Sequence, residues 1–214
     1  MLHAARRGLQ WLLLAAAGLA CPLALAQARA DFRQELPSAQ SRHVADWVLD
    51  ASDHAGLPFV IVDKLQSRVW VFDGQGRLAG TAPALLGLAL GDASVPGLGA
   101  RPMASILPAE RTTPAGRFAA SLDRSLKGEE ILWVDYENAI ALHPVAVGVP
   151  RERRLERMAS LVVSERRITY GCINVPVAFF RNVVAPLFRG RAGVVYVLPE
   201  TGSAAAVFGS YDLP

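Results

Sequence analysis

The chain is poor in cysteine: its 214 residues hold two, Cys21 and Cys172. Cys21 falls in a segment predicted to be removed, so the remaining Cys172 has no intramolecular partner and a disulfide scaffold is excluded. Charge is also sparse, at 19% against 52% hydrophobic residues. That balance excludes an intrinsically disordered chain, and the length suffices for one well-buried domain. No internal repeat and no sign of a second domain are found. Histidine is scarce too, with His3, His43, His54 and His143 making up the whole set.

No acidic residue precedes Asp31. The first 26 residues, MLHAARRGLQWLLLAAAGLACPLALA, combine Arg6 and Arg7, an apolar run from Trp11 to Leu19, and an A-x-A site at Ala24-Leu25-Ala26. A second such site is Ala28-Arg29-Ala30. This order of features predicts a signal peptide over 1–26 and export to the periplasm or cell envelope. An uncleaved anchor is the competing reading. The 18 residues from Leu9 to Ala26 just reach spanning length, but Gln10, Gly18 and Pro22 weaken them as a membrane helix. Lipidation at Cys21 is disfavoured by Gly18, which stands where a large aliphatic residue is usual. Loss of Arg6 and Arg7 lowers the formal net charge from +3 to +1. A near-neutral mature chain supplies no reason for nucleic acid or an anionic membrane as a partner, and no stable membrane insertion is expected after cleavage.

Residues 27–57 read as a linker ending in Pro37, followed by an amphipathic helix over 38–55. Ser38 is its N-cap, Val44, Trp47, Val48 and Ala51 form its apolar stripe, and Gly56 is its stop. From Pro58 the periodicity changes to strands at 59–63 and 68–72, with Asp73-Gly74-Gln75-Gly76 as a turn. Residues 91–117 form a long Gly/Pro-rich loop, a feature often tied to function. Further strands are expected at 118–121, 130–135, 139–142 and 194–198. The charged segment 151–167 reads as an exposed helical or loop insertion, and 201–214 as a loose C-terminal tail. The fold class is therefore mainly β with a few helices.

The chemistry concentrates in Arg167-Ile168-Thr169-Tyr170-Gly171-Cys172-Ile173-Asn174-Val175-Pro176. A strand-like stretch meets glycine, then cysteine, then a helix expected to open with Asn174 as cap and Pro176 in its first turn. A cysteine at a helix N-terminus is favoured as thiolate, the reactive form. Gly171 allows close approach of a substrate carbonyl, and the N–H groups around Gly171 and Cys172 are candidates for an oxyanion hole. The nucleophile needs a base. His43 lies on the N-terminal helix and His54 near its end, whereas His143 follows an apolar strand and precedes Pro144, where site residues emerge. His143 is chosen.

This segment resembles the signature of the L,D-transpeptidase family (the YkuD-type catalytic domain), in which histidine precedes a Ser/Thr-x-Gly-Cys-aliphatic-Arg/Asn motif. Thr169, Gly171, Cys172, Ile173 and Asn174 match it, with His143 upstream. Ile61-Val62-Asp63-Lys64 with Arg68-Val69-Trp70-Val71-Phe72-Asp73 resembles the family's first hairpin. Thr113-Pro114-Ala115-Gly116-Arg117-Phe118 is similar to its T-P-x-G-x-F turn. Tyr170 and Asn174 stand where many members have histidine and arginine, and the interval from His143 to Cys172 is longer than in many.

The resemblance implies a sandwich-like β catalytic domain over 58–200. It implies that Cys172 attacks the L,D-configured bond of a peptidoglycan tetrapeptide stem and releases D-alanine, that His143 takes the thiol proton, and that an amine acceptor resolves the thioester. A backbone carbonyl near Thr169 or Tyr170 is expected to orient the imidazole, and Asn174 to contact substrate. No metal or cofactor is expected, since His143 and Cys172 alone cannot complete a tetrahedral zinc site. Arg101 and Arg111 are open between contacts to acidic stem carboxylates and plain surface charge. The alternatives are an L,D-carboxypeptidase or amidase using the same nucleophile, a non-catalytic peptidoglycan-binding module, and a thiol protease of another family.

Overall fold

The computed structural model describes residues 28–214, so the predicted signal peptide lies outside the described residues. Helix α1 (Ala39–Asp50) is capped by Ser38, whose Oγ accepts from the Ser41 N–H at 3.0 Å. The same hydroxyl donates to Asp63 at 2.5 Å, joining the helix start to the first strand. The helix is shorter than expected. It ends at Asp50 because Ser52, Ala55 and Gly56 take positive φ values, which no helix sustains.

Ten strands follow in chain order. They are β1 (Phe59–Asp63), β2 (Arg68–Phe72), β3 (Leu78–Pro83), β4 (Leu86–Gly87), β5 (Gly116–Arg124), β6 (Glu130–Asp135), β7 (Ile140–Pro144), β8 (Arg167–Thr169), β9 (Ile173–Val175) and β10 (Ala192–Val197). Eight of them form one mixed sheet in the order β3-β2-β1-β10-β5-β6-β7-β9, and β4 pairs with β8. The class is mainly β, as the strand periodicity implies. The β1–β10 and β7–β9 pairs are parallel, and the other pairs in the large sheet are antiparallel.

Both faces of this sheet are covered. Val60 and Val62 of β1 join a core with Val195, Leu132, Leu142, Ile173 and Val175. Phe59 and Ile61 point the other way, onto Trp47 and Val48 of α1. A strand buried on both faces carries an unbroken apolar run, and Phe59-Val60-Ile61-Val62 is one. The first core is plugged by the helical segment 177–188. It runs as α3 (Val177–Phe179), a π turn (Phe180–Val184) and α4 (Ala185–Phe188), and buries Phe180, Val184 and Phe188.

The sheet curls until its two ends meet. Leu85, just beyond β3, exchanges backbone hydrogen bonds with Asn174 of β9 at 2.8 and 2.9 Å. A sandwich-like core therefore forms inside one continuous sheet. The charged insertion holds α2 (Arg154–Ala159) between 3-10 turns at Pro150–Glu152 and Val163–Arg166. The described segments before α1 and after β10 are docked where the sequence suggests a linker and a loose tail. Phe32 is buried against Trp70 and Phe72. The C-terminal α5 (Ala204–Phe208) stacks Phe208 on Trp47, and Tyr211 donates to Asp50 at 2.7 Å, so 201–214 is docked on α1.

Candidate active site

Cys172 sits in the short connection between β8 and β9. The helix expected to begin directly after it begins three residues later than Asn174, at Val177 with Pro176 as N-cap, because Ile173-Asn174-Val175 is taken up as a strand. Ile173 and Val175 are β-branched and buried, and β9 gains pairing from β7 on one side and Leu85 on the other. Asn174 is thus a strand residue and caps no helix, and no helix dipole acts on the thiol at close range.

The thiol meets backbone groups instead. Its Sγ–H donates to the Ala139 carbonyl at 3.6 Å, and the Ala141 N–H faces the sulfur. Cys172 is partly exposed. Burial of its surroundings pushes the thiol above its ordinary range, with Ala141 and the Arg154 charge opposing. The expected helix start beside the thiol is corrected here, because Ile173–Val175 is a strand, and desolvation is the largest influence on the thiol and raises it.

Gly171 has φ +129, and a Cβ there would come within 2.6 Å of Ile140 Cδ1 and 2.8 Å of the Thr112 carbonyl oxygen. Its N–H donates to Thr169 Oγ1 at 3.2 Å, while Thr169 Oγ1–H donates to the Cys172 carbonyl at 2.7 Å. The Gly171 N–H named for an oxyanion hole is therefore engaged within the turn. Thr113, from the T-P-x-G-x-F turn, is fully buried and binds both sides of this region. Its hydroxyl donates to the Gly171 carbonyl at 2.8 Å and accepts from the Gly87 N–H at 2.9 Å. Sequence reading noted Thr113 only as part of a turn; its contact to Gly171 is what connects that turn to the site.

His143 lies on β7, in register with Asn174 on β9. Its Nδ1 is 2.9 Å from the Pro144 carbonyl oxygen and its Nε2 is 3.0 Å from Asn174 Nδ2. The carbonyl that orients the ring is thus Pro144's. The Thr169 carbonyl is taken by the Leu88 N–H. No hydrogen bond joins His143 to Cys172 among the described residues; His143 is on β7, and Cys172 directly precedes β9, the strand paired with it. Burial and the Arg154 charge hold the imidazole below its ordinary value of 6.5, so it rests neutral. One side of His143 opens on a cavity of about 360 Å³ whose wall includes Glu129, Val145, Val177 and Arg181.

Asn174 is 1% exposed, and its Oδ1 accepts from Arg154 Nη1 at 2.8 Å. The side chain expected to touch substrate is committed to His143 and Arg154. Arg154 is a site residue that sequence reading did not single out, because it stands among the six arginines of the charged run 151–167 with no spacing signal. Tyr170 lies under the Arg111 guanidinium, 3.9 Å from the ring centroid. Arg101 is paired with Glu110 at 2.9 Å, which settles it as a loop strut. The other two histidines among the described residues are elsewhere: His43 faces Ser210, and buried His54 sits between the Val48 and Gly74 carbonyls. No group of three or more potential metal-binding side chains occurs among the described residues.

No family model matches the chain, and no curated protein matches it. Solved structures with a similar course include the helical cell shape determining protein Pgp2 of Campylobacter jejuni, at 16% identity and TM-score 0.44. An L,D-transpeptidase of Mycobacterium tuberculosis H37Rv is similar at 15% identity and TM-score 0.39. A fused Zn-dependent amidase/peptidase/peptidoglycan-binding protein of Clostridium acetobutylicum is similar at 16% and 0.39. The alignments cover 67%, 65% and 79% of this chain, and 48%, 57% and 64% of the respective proteins. The chain therefore spans about half the length of the first two. No helix among the described residues is long and apolar enough to cross a membrane.

Proposed function

We propose that this chain is an exported, cysteine-dependent L,D-transpeptidase acting on peptidoglycan tetrapeptide stems. The observation that carries the reading is the pairing of β7 with β9, which brings the segments of His143 and Cys172 together at a turn that requires Gly171. A histidine on β7 and the one cysteine among the described residues, just before the paired β9, form the minimal set for acyl transfer through a thioester.

The chemistry follows from the resting state. The thiol is protonated and the imidazole neutral, so His143 acts as general base when substrate arrives, accepting the Sγ proton as sulfur attacks the carbonyl. The ring must first exchange a present hydrogen bond for one to the sulfur, as its two nitrogens rest on Pro144 and Asn174. The thioester forms, D-alanine leaves with the proton, and an amine of a neighbouring stem displaces Cys172. The N–H of Ala141, beside the sulfur, is a donor for charge developing there. The signal peptide over 1–26 and a periplasmic or envelope location belong to the same reading, with 58–200 as the catalytic domain.

The test is incubation of residues 27–214, and of its Cys172→Ala variant, with disaccharide-tetrapeptide, products being followed by mass spectrometry. Cross-linked dimers and free D-alanine, absent with the variant, are expected. Tripeptide without dimers would assign the chain as an L,D-carboxypeptidase. Absence of any Cys172-dependent product or acyl-enzyme mass would leave a non-catalytic peptidoglycan-binding module ahead.

A further inference from the structure

We propose that Arg154, reaching in from the charged insertion, is a positioning residue that sets the tautomer of His143 through the side-chain amide of Asn174. The argument is one of hydrogen-bond direction. A guanidinium only donates, so the Asn174 atom facing Arg154 Nη1 at 2.8 Å must be the carbonyl oxygen. The amide nitrogen then faces His143 Nε2 at 3.0 Å, and because an amide nitrogen only donates, Nε2 must present its lone pair. The ring proton is left on Nδ1, where the Pro144 carbonyl accepts it at 2.9 Å. Every step closes with a donor matched to an acceptor, and the central amide is fully buried, so no water substitutes for a missing partner.

The tautomer depends on this chain of contacts and not on the reaction. That His143 is the reaction's base rests on the reading in the preceding subsection. Arg154 is itself fixed by Glu152, 2.6 Å from its Nε. Its side chain is 16% exposed, so the guanidinium is held inside the insertion and does not wander at the surface. Asn174 stands at the motif position where the family often has arginine. The cation is thus delivered from α2, one bond further away, and the insertion acquires a role in the site.

The charged and titratable groups facing His143 from its surroundings are Arg154 from α2, Glu129 and Glu130 from the β5–β6 turn and start of β6, and Arg181 from the π turn. Arg154 disfavours the imidazolium and Glu129 favours it.

The experiment is nitrogen-15 NMR of histidine-labelled full-length protein, the His143 signals being assigned with His143→Gln. Nδ1 protonated and Nε2 bare are expected at neutral pH. Arg154→Leu frees the amide to turn, so the Nε2-protonated form should gain about tenfold relative to the other, and the titration midpoint should rise towards 6.5. Arg154→Lys, which keeps a donor and the charge, should restore the original tautomer. Asn174→Asp, whose oxygens only accept, should protonate both ring nitrogens and raise the midpoint by about one pH unit or more. A wild-type ring protonated on Nε2 would overturn the proposal, as would an Arg154→Leu protein with unchanged tautomer and midpoint. Should Arg154→Leu fail to fold, the wild-type tautomer and the Asn174→Asp titration decide by themselves. A confirmed tautomer beside a failed transpeptidase assay would sink the functional reading and leave the relay standing.

Discussion

Gly171 governs the backbone course past Cys172. Its φ of +129 is strained for any other residue, and an added Cβ would press on the Thr112 backbone, which cannot swing aside as a side chain could. Gly171→Ala is expected to cost about 1–3 kcal/mol in thermal or denaturant unfolding and to lower Cys172 alkylation in the folded protein. An unchanged melting curve would show that the loop yields freely. The sulfur itself has a stated pH dependence. Burial favours the protonated thiol, so the thiolate fraction is small at neutral pH and grows as pH rises through a midpoint above the ordinary 9.0. Iodoacetamide alkylation of Cys172 should climb steeply only in that alkaline range. A plateau reached below pH 8 would mean that a cation or N–H outweighs desolvation.

Among the elements, the long loop 91–115 is the one whose order is bought by charge. Lys64, at the end of β1, is fully buried and donates to the Gly91 carbonyl at 2.6 Å, to Asp92 at 2.7 Å and to the Thr113 carbonyl at 3.1 Å. Against desolvation, the Lys64 ammonium, the Thr201 hydroxyl and the N–H groups of Glu200 and Thr201 hold the Asp92 carboxyl well below the usual range, and the Gly202 N–H also donates to it. Glu200 pairs with Arg167 of β8. One cluster thereby ties the loop, the segment after β10 and the strand leading to Cys172. Lys64→Met removes the central cation and leaves Asp92 without its counter-charge. A loss of about 3–5 kcal/mol is expected, as for breaking a buried pair. Amide exchange should accelerate first in 91–115 if the cluster acts as a clamp. Uniform acceleration over all strands would show that Lys64 supports the whole sheet instead.

Across the whole molecule, the site exists because one sheet closes on itself. Cys172 is 33 residues from Ala139 in sequence, and the parallel β7–β9 pairing is what brings the two together. The insertion 151–167 lies within that crossover, which is why α2 hangs beside the histidine and can supply Arg154. Much of this was legible in residue order. The apolar run 59–62, the alternating strand 68–72 and the turn at 73–76 follow from local pattern and composition, since burial on both faces leaves a continuous apolar signature. What the residues could not determine is pairing. Ile173-Asn174-Val175 reads in sequence as a helix entry, and Leu85 and β7, distant in sequence, make it a strand. With that decision the helix dipole leaves the thiol, Asn174 turns from cap to histidine partner, and an arginine of a surface-like charged run becomes part of the site. Local sequence determined where the cysteine and the histidines stand along the chain; hydrogen bonding and desolvation, which depend on long-range contacts, set the direction in which the Cys172 and His143 equilibria shift.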